Sequence, residues 1–205
     1  MSLSTTALHG LHEELGGRLV DFAGWELPVQ FAGIIAEHQH TRKSASLFDV
    51  SHMGQVLIYP ESGNLADAAA ALETLIPASV AGLKEGRQRY GLFTDENGGG
   101  LDDLMFANHG DRYFLVVNAA RSDHDLGLLR TLERVTVEHI TDRSLLALQG
   151  PRAEEALAGL IPDAAGLRFM DSRILDWDGV TVWVSRSGYT GEDGFEISVP
   201  SAEAE

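Results

Sequence analysis

Gly98-Gly99-Gly100-Leu101-Asp102-Asp103-Leu104-Met105-Phe106 sets two adjacent carboxylates between a glycine turn and an apolar strand. Glycine reaches positive φ at no steric cost, so Asn97 to Gly100 reads as a tight turn that launches a strand near Leu101. Side chains alternate along a strand. Leu101, Asp103 and Met105 are therefore expected on one face, with Asp102, Leu104 and Phe106 on the other. A carboxylate on a half-apolar face is costly to bury unless it is paired, hydrogen-bonded or functional. The alternative is a solvated edge strand with acids capping the turn.

Working outward, Arg87 to Thr94 reads as the first strand of a hairpin with the Asp102-Asp103 strand. Tyr113-Phe114-Leu115-Val116-Val117, inside a strand from Arg112 to Asn118, is a continuous apolar run that suggests burial on both faces. Gln55 to Tyr59 and Val135 to Ile140 are further strands. Leu65 to Ile76 reads as an Ala-rich helix ended by Pro77, and Arg121 to Arg134 as a second helix. Antiparallel hairpins with helices on one face make an α+β fold.

On the N-terminal side, Thr6 to Leu15 reads as a short helix stopped by Gly16-Gly17. Arg18 to Trp25 follows as a strand, Gly33 to Ser46 as a helix, and Leu47-Phe48-Asp49-Val50 as a short buried segment. On the C-terminal side, Leu145 to Leu148, Asp171 to Asp176, Val180 to Ser185 and Phe195 to Val199 are expected strands, with a helix from Arg152 to Leu160. No low-complexity linker divides the chain. The organisation expected is therefore a discontinuous α+β domain, 1–50 plus 141–205, around an inserted α+β domain, 51–140. Ser201 followed by acids reads as a helix N-cap, so the natural protein is expected to continue beyond Glu205.

The 205 residues are 44% hydrophobic and 22% charged, enough for real cores. The formal net charge of −16 argues against nucleic acid as a partner. No segment has the length of a membrane-spanning helix and the N-terminus lacks a secretory pattern, so a cytoplasmic location is expected. Cysteine is absent, which removes disulfides, thiolate catalysis and cysteine metal sites. His38 and His40 fall on different sides of a helix and make no metal pair, and no metal site is expected. His52 lies in a polar turn between apolar runs, where either an anchor or a binding group is at home.

Four stretches together resemble one family: Phe22-Ala23-Gly24-Trp25-Glu26-Leu27-Pro28-Val29-Gln30, Leu47-Phe48-Asp49-Val50-Ser51-His52-Met53, Gly99-Gly100-Leu101-Asp102-Asp103-Leu104 and Gly188-Tyr189-Thr190-Gly191-Glu192-Asp193-Gly194-Phe195-Glu196. The sequence is similar to the aminomethyltransferases, the T proteins of the glycine cleavage system. Leu146-Ala147-Leu148-Gln149-Gly150-Pro151 and Val116-Val117-Asn118-Ala119 fit the same pattern, and the match runs from about His9 to Pro200. The resemblance implies a folate-binding aminomethyltransferase-like fold of three domains, whose C-terminal barrel-like domain is absent from this chain. It also implies tetrahydrofolate as co-substrate and the lipoylated H protein as partner. The family cleaves an aminomethyl group from the lipoyl arm, releases ammonia and makes methylenetetrahydrofolate.

Carried over by motif, the resemblance places the catalytic acid on Asp103 rather than Asp102. It places folate contacts on Met53, Tyr90, Phe114, Val116 and Asn118, with Tyr189 at the pocket edge and Glu196 holding the pterin ring. For Tyr90 and Phe114 the alternative is plain core packing, and for Glu196 an exposed acid on a strand. Two other functions share the fold. One is a non-catalytic folate-binding module; its relatives carry a cysteine motif near Gly188 to Glu196, where this sequence has none. The other is the folate domain of a demethylase or oxidase acting on N-methyl or S-methyl substrates, although no GxGxxG fingerprint accompanies it here.

Overall fold

The computed structural model describes residues 2–205. They form two compact units: residues 2–52, Asp142–Phe169 and Arg173–Glu205 make the first, and Met53–Thr141 with Met170–Ser172 the second.

The first unit opens with helix α1 (His9–Glu14), which ends where Gly16 takes φ 75°. The single strand expected over Arg18 to Trp25 is instead a hairpin, β1 (Leu19–Phe22) and β2 (Trp25–Pro28), with Phe22 opposite Trp25. Ala23 and Gly24 both take positive φ, 53° and 85°, and the Asp21 carboxylate accepts the Gly24 N–H at 2.9 Å. An Asx-supported turn of this hand matches strand twist, which is why the chain reverses there. Helix α2 (Ile34–Lys43) leads into β3 (Ser46–Asp49). The expectation that this last segment is buried does not hold: Leu47 is 60% and Phe48 39% exposed, because β3 is the edge strand of its sheet.

The second unit is a five-stranded sheet built from β4 (Gly54–Pro60), β5 (Gln88–Thr94), β6 (Gly100–Asn108), β7 (Tyr113–Val117) and β8 (Val135–Ile140), in the order β5-β6-β7-β4-β8. All its pairings are antiparallel. Helices α3 (Leu65–Leu72) and α4 (Ser122–Leu129) supply Ala68, Ala69, Leu72, Leu126 and Leu129 to one core with Val56, Ile58, Leu104, Phe106, Leu115 and Val117. Helix α3 stops four residues short of Ile76. Pro77 has no N–H and its ring clashes with the carbonyl four residues back, that of Glu73, the residue after the helix. Helix α4 likewise stops before Arg134, which takes φ 62°.

Returning to the first unit, β9 (Arg143–Gln149), helix α5 (Ala153–Ala158), β10 (Ser172–Trp177), β11 (Val180–Arg186) and β12 (Gly194–Pro200) complete a sheet ordered β10-β11-β12-β9-β3. Odd positions of β12, Phe195, Ile197 and Val199, enter a core with Val182, Val184, Leu157 and Leu8. Glu196 and Ser198 thus point to the other face. The chain closes in a 3-10 turn, Ser201–Glu203, in which the Ser201 side chain makes no cap and instead lies 3.2 Å from the Ser144 hydroxyl. The fold is α+β with antiparallel sheets. Among the described residues no helix is long and apolar enough to cross a membrane.

Candidate functional site

Strand register assembles most of the expected site in the second unit. Asp103 and Met105 on β6 stand opposite Leu92 and Tyr90 on β5, while Met105 and Ala107 stand opposite Val116 and Phe114 on β7. Directly paired residues of antiparallel strands point the same way, so Asp103, Tyr90, Met105, Val116 and Phe114 share one face of the sheet. The other face carries Leu104, Phe106, Leu115 and Val117 into the core beneath α3 and α4. Met105, Val116 and Phe114 are buried although they face away from those helices, whereas Tyr90 is 55% exposed. Phe114 stacks on His109 with ring centroids 5.5 Å apart. Burial pushes the His109 imidazole down to about 4, so that ring is neutral at neutral pH.

The Asp103 carboxylate is held from the end of β7, with Tyr90 of β5 beside it. Interaction with Asp103 raises the Tyr90 phenol above its ordinary value, with burial and the charges of Asp103 and Asp102 adding to the rise. From the end of β7, Asn118 Nδ2 donates to Asp103 Oδ1 at 3.1 Å. The same amide nitrogen lies 3.0 Å from Asp102 Oδ1 and 3.2 Å from the Asp103 carbonyl. Strand alternation sends the two aspartates to opposite faces of β6, yet one side chain bonds both. Pairing between β6 and β7 ends at Leu104 with Val117, so Asn118 lies just past the ladder, and its side chain reaches both acids. Asp102 also folds back, its Oδ1 accepting the Asp103 N–H at 3.0 Å. Met53 stands one residue before β4 and is half-buried.

In the first unit, Glu196 on β12 pairs with Ser185 on β11 and Ala147 on β9. It is 8% exposed, not the exposed acid of the alternative reading. The Tyr189 hydroxyl donates to its Oε2 at 3.3 Å. Burial dominates over that single hydrogen bond and pushes the carboxyl up to about 7. Such a group gains most from a ligand that brings N–H donors. Tyr189 is placed by its own N–H, which donates to Gln149 Oε1 at 2.8 Å. The Gly188 to Gly194 loop that carries it is tight: a Cβ at Gly188 would overlap the Glu192 carbonyl, and one at Gly194 the Gln149 amide. Arg42 on α2 anchors the loop, donating to the Thr190 carbonyl at 2.5 Å and pairing with Glu192 at 2.9 Å.

Two features escape the sequence reading. Asp49, at the end of β3, accepts from the Thr6 hydroxyl at 2.6 Å, the Ser51 hydroxyl at 2.5 Å and the Ser51 N–H at 2.9 Å, and pairs with His12 at 2.9 Å. Burial raises this carboxyl, but these bonds together outweigh it and hold it below the usual range. Beside the cluster, a largely apolar cavity of about 980 Å³ is lined by Phe22, Phe31, Phe48, His12 and His52, among others. His52 packs edge-on against Phe22, and its buried Nδ1 has no hydrogen-bond partner among the described residues. The second feature is Asp125, an acid on α4 that is fully buried.

Residues 8–205 match the family described as GCVT N-terminal domain. The chain is 41% identical to a mitochondrial aminomethyltransferase of Dictyostelium discoideum, covering 98% of this chain and 52% of that protein. It is 43% identical to an aminomethyltransferase of Rubrobacter xylanophilus, covering 99% and 55%. The crystal structure of glycine cleavage system aminomethyltransferase T from Bartonella henselae superimposes with a TM-score of 0.88 at 38% identity, over 99% of this chain and 55% of that one. The chain thus spans about half the length of the relatives it matches. It follows that the chain belongs to the GCVT N-terminal domain family, the family of the aminomethyltransferases.

Proposed function

We propose that this chain carries the folate-binding and catalytic residues of a glycine cleavage aminomethyltransferase. Its reaction moves a one-carbon unit from the aminomethyl-lipoyl arm of an H protein to tetrahydrofolate, with release of ammonia. The observation that carries the reading is the Asp103 carboxylate, held by Asn118 on a sheet face that also carries Tyr90 and buried Met105, Val116 and Phe114. As the C–S bond of the donor breaks, positive character develops on the migrating carbon. A carboxylate fixed beforehand by hydrogen bonds stabilises that charge without reorganising, and can hold the folate nitrogens for attack. Apolar walls with few polar anchors suit a flat pterin. Glu196, buried and short of donors, suits the ring N–H and amino groups, with Tyr189 beside it. Met53 is assigned to the folate pocket on the motif match.

The test is a titration of the full-length protein with tetrahydrofolate beside a turnover assay with aminomethyl-loaded H protein. Saturable binding with release of ammonia supports the reading. Folate binding without turnover would favour a non-catalytic folate module, and turnover of N-methyl substrates a demethylase.

A further inference from the structure

Behind the Asp103 network lies a second carboxyl group. Asp125, in the first turn of α4, has 0% exposure. Its Oδ1 lies 3.0 Å from His124 Nδ1. Asp102 on β6 stands opposite Phe93, on the sheet face whose Phe93, Leu104 and Phe106 share a core with Leu126 and Leu129 of α4, and its charge acts on Asp125. The Oδ2 atoms of both aspartates are buried, and neither has a donor among the described residues. Two neighbouring acceptor-only groups out of water cannot both hold a full charge without large cost. One proton between them removes the repulsion and makes a strong hydrogen bond.

We propose that Asp102 and Asp125 share a single proton across their buried oxygens and serve as positioning residues for Asn118 and, through it, for the Asp103 carboxylate. The geometry gives the path. With Oδ2 of Asp102 tied to Asp125, its Oδ1 is fixed where it accepts from Asn118 Nδ2 at 3.0 Å and from the Asp103 N–H at 3.0 Å. The Asn118 amide has two protons for three oxygens, those of the Asp102 carboxylate, the Asp103 carboxylate and the Asp103 carbonyl. Its orientation therefore depends on Asp102 staying in place. Loss of the shared proton sets two negative charges against each other and loosens that hold.

Burial pushes the Asp125 carboxyl up to about 6, with His124 opposing the rise and Asp102 adding to it. His124 faces Asp125 from α4 itself, and Asp103 and the Tyr90 hydroxyl lie beyond Asp102 on the sheet. The Arg121 guanidinium reaches the Leu101 carbonyl at 3.5 Å. Asp123 acts on His139 of β8. A raised acid is protonated at low pH, so the device is intact below about 6 and weakens as pH rises through it.

The proposal rests on the transferase reading only for its effect on turnover, and a spectroscopic test is independent of it. In the protein labelled with ¹³C at aspartate carboxyls, one carboxyl of the pair should keep its proton above the ordinary aspartate range. Asp102→Asn should move the Asp125 midpoint down. The Asn118 side-chain amide signal should shift over the same pH interval in the native protein and stay still in Asp125→Asn. Complete titration of every aspartate by about pH 5, or an Asp125 midpoint unchanged by Asp102→Asn, would overturn the shared proton. In the full-length enzyme, Asp125→Asn, which still donates to Asp102, should keep turnover within a few-fold and flatten its decline at higher pH. Asp125→Ala, which leaves Oδ2 of Asp102 unpartnered, should lower kcat on the order of tenfold with little change in the folate dissociation constant. Unaltered kcat and pH profile in both variants would overturn the positioning role. A native enzyme with no turnover would count against the transferase reading, and the spectroscopic outcomes would still decide the shared proton.

Discussion

A single carboxyl shows how burial sets chemistry here. Glu196 is pushed up to about 7 from an ordinary value of 4.5 because burial outweighs the one hydroxyl that donates to it. Ionising it inside the folded chain costs about 3 kcal/mol relative to the unfolded chain. The sign follows: a raised acid favours the folded state below the unfolded value, and that contribution is lost as pH rises through about 7. Glu196→Gln should therefore be more stable relative to the native chain at pH 8 than at pH 5, as read from denaturant midpoints. If a pterin donates to the ionised form, the native dissociation constant should fall by roughly tenfold per pH unit below about 7 and level off above it. Glu196→Gln should bind more weakly, by about 1.5–3 kcal/mol at high pH, without that slope. An equal slope in both proteins would remove Glu196 from the folate site. The motif match named Glu196, but burial and its single donor were not legible in the sequence, because they depend on which strands flank β12. Asp125 was missed for the same reason: its partner Asp102 lies 23 positions away on another element.

At the scale of elements, periodicity located nearly every helix and strand, and what it missed were boundaries set by special backbone. The β1–β2 hairpin read as one strand because Ala23, a residue that ordinarily avoids positive φ, occupies its turn with Gly24. Helix α3 read too long because Pro77 acts four residues upstream of itself. The edge position of β3 was not legible, since an apolar run of four looks the same at an edge and in a sheet interior. Two predictions belong here. Gly188→Ala forces the Tyr189 loop open against the Glu192 carbonyl, and should cost about 1–3 kcal/mol and weaken folate binding. Gly166→Ala, where a Cβ meets nothing within 4 Å, should change stability by less than about 0.5 kcal/mol. Equal effects in chemical denaturation would contradict the packing described. Asp49 ties α1 to the sheet through Thr6 and His12. Asp49→Ala should cost about 3 kcal/mol at neutral pH. Because the native carboxyl is held below its usual range, that stabilisation is present above the unfolded value and fades as acid protonates it. A gap between native and variant that stays constant on acidification would contradict the cluster's electrostatic role.

At the scale of the whole molecule, a net charge of −16 makes self-repulsion a standing cost. Salt screens it, so Tm should rise between low and physiological ionic strength; a fall would mean that attractive pairs dominate. The reaction also belongs to this scale, because the relatives are nearly twice as long as this chain. The central claim is that the Asp103 carboxylate, fixed by Asn118 beside Tyr90, stabilises charge in the transfer step. Its most direct test is Asp103→Asn in the full-length protein, assayed for tetrahydrofolate dissociation constant and for turnover with aminomethyl-loaded H protein, beside Asp102→Asn. The account predicts a folate affinity close to native and a kcat lower on the order of a hundredfold or more for Asp103→Asn. Asp102→Asn, whose amide still accepts from Asn118, should retain most of its turnover. Near-native turnover in Asp103→Asn, or a larger loss in well-folded Asp102→Asn, would contradict it.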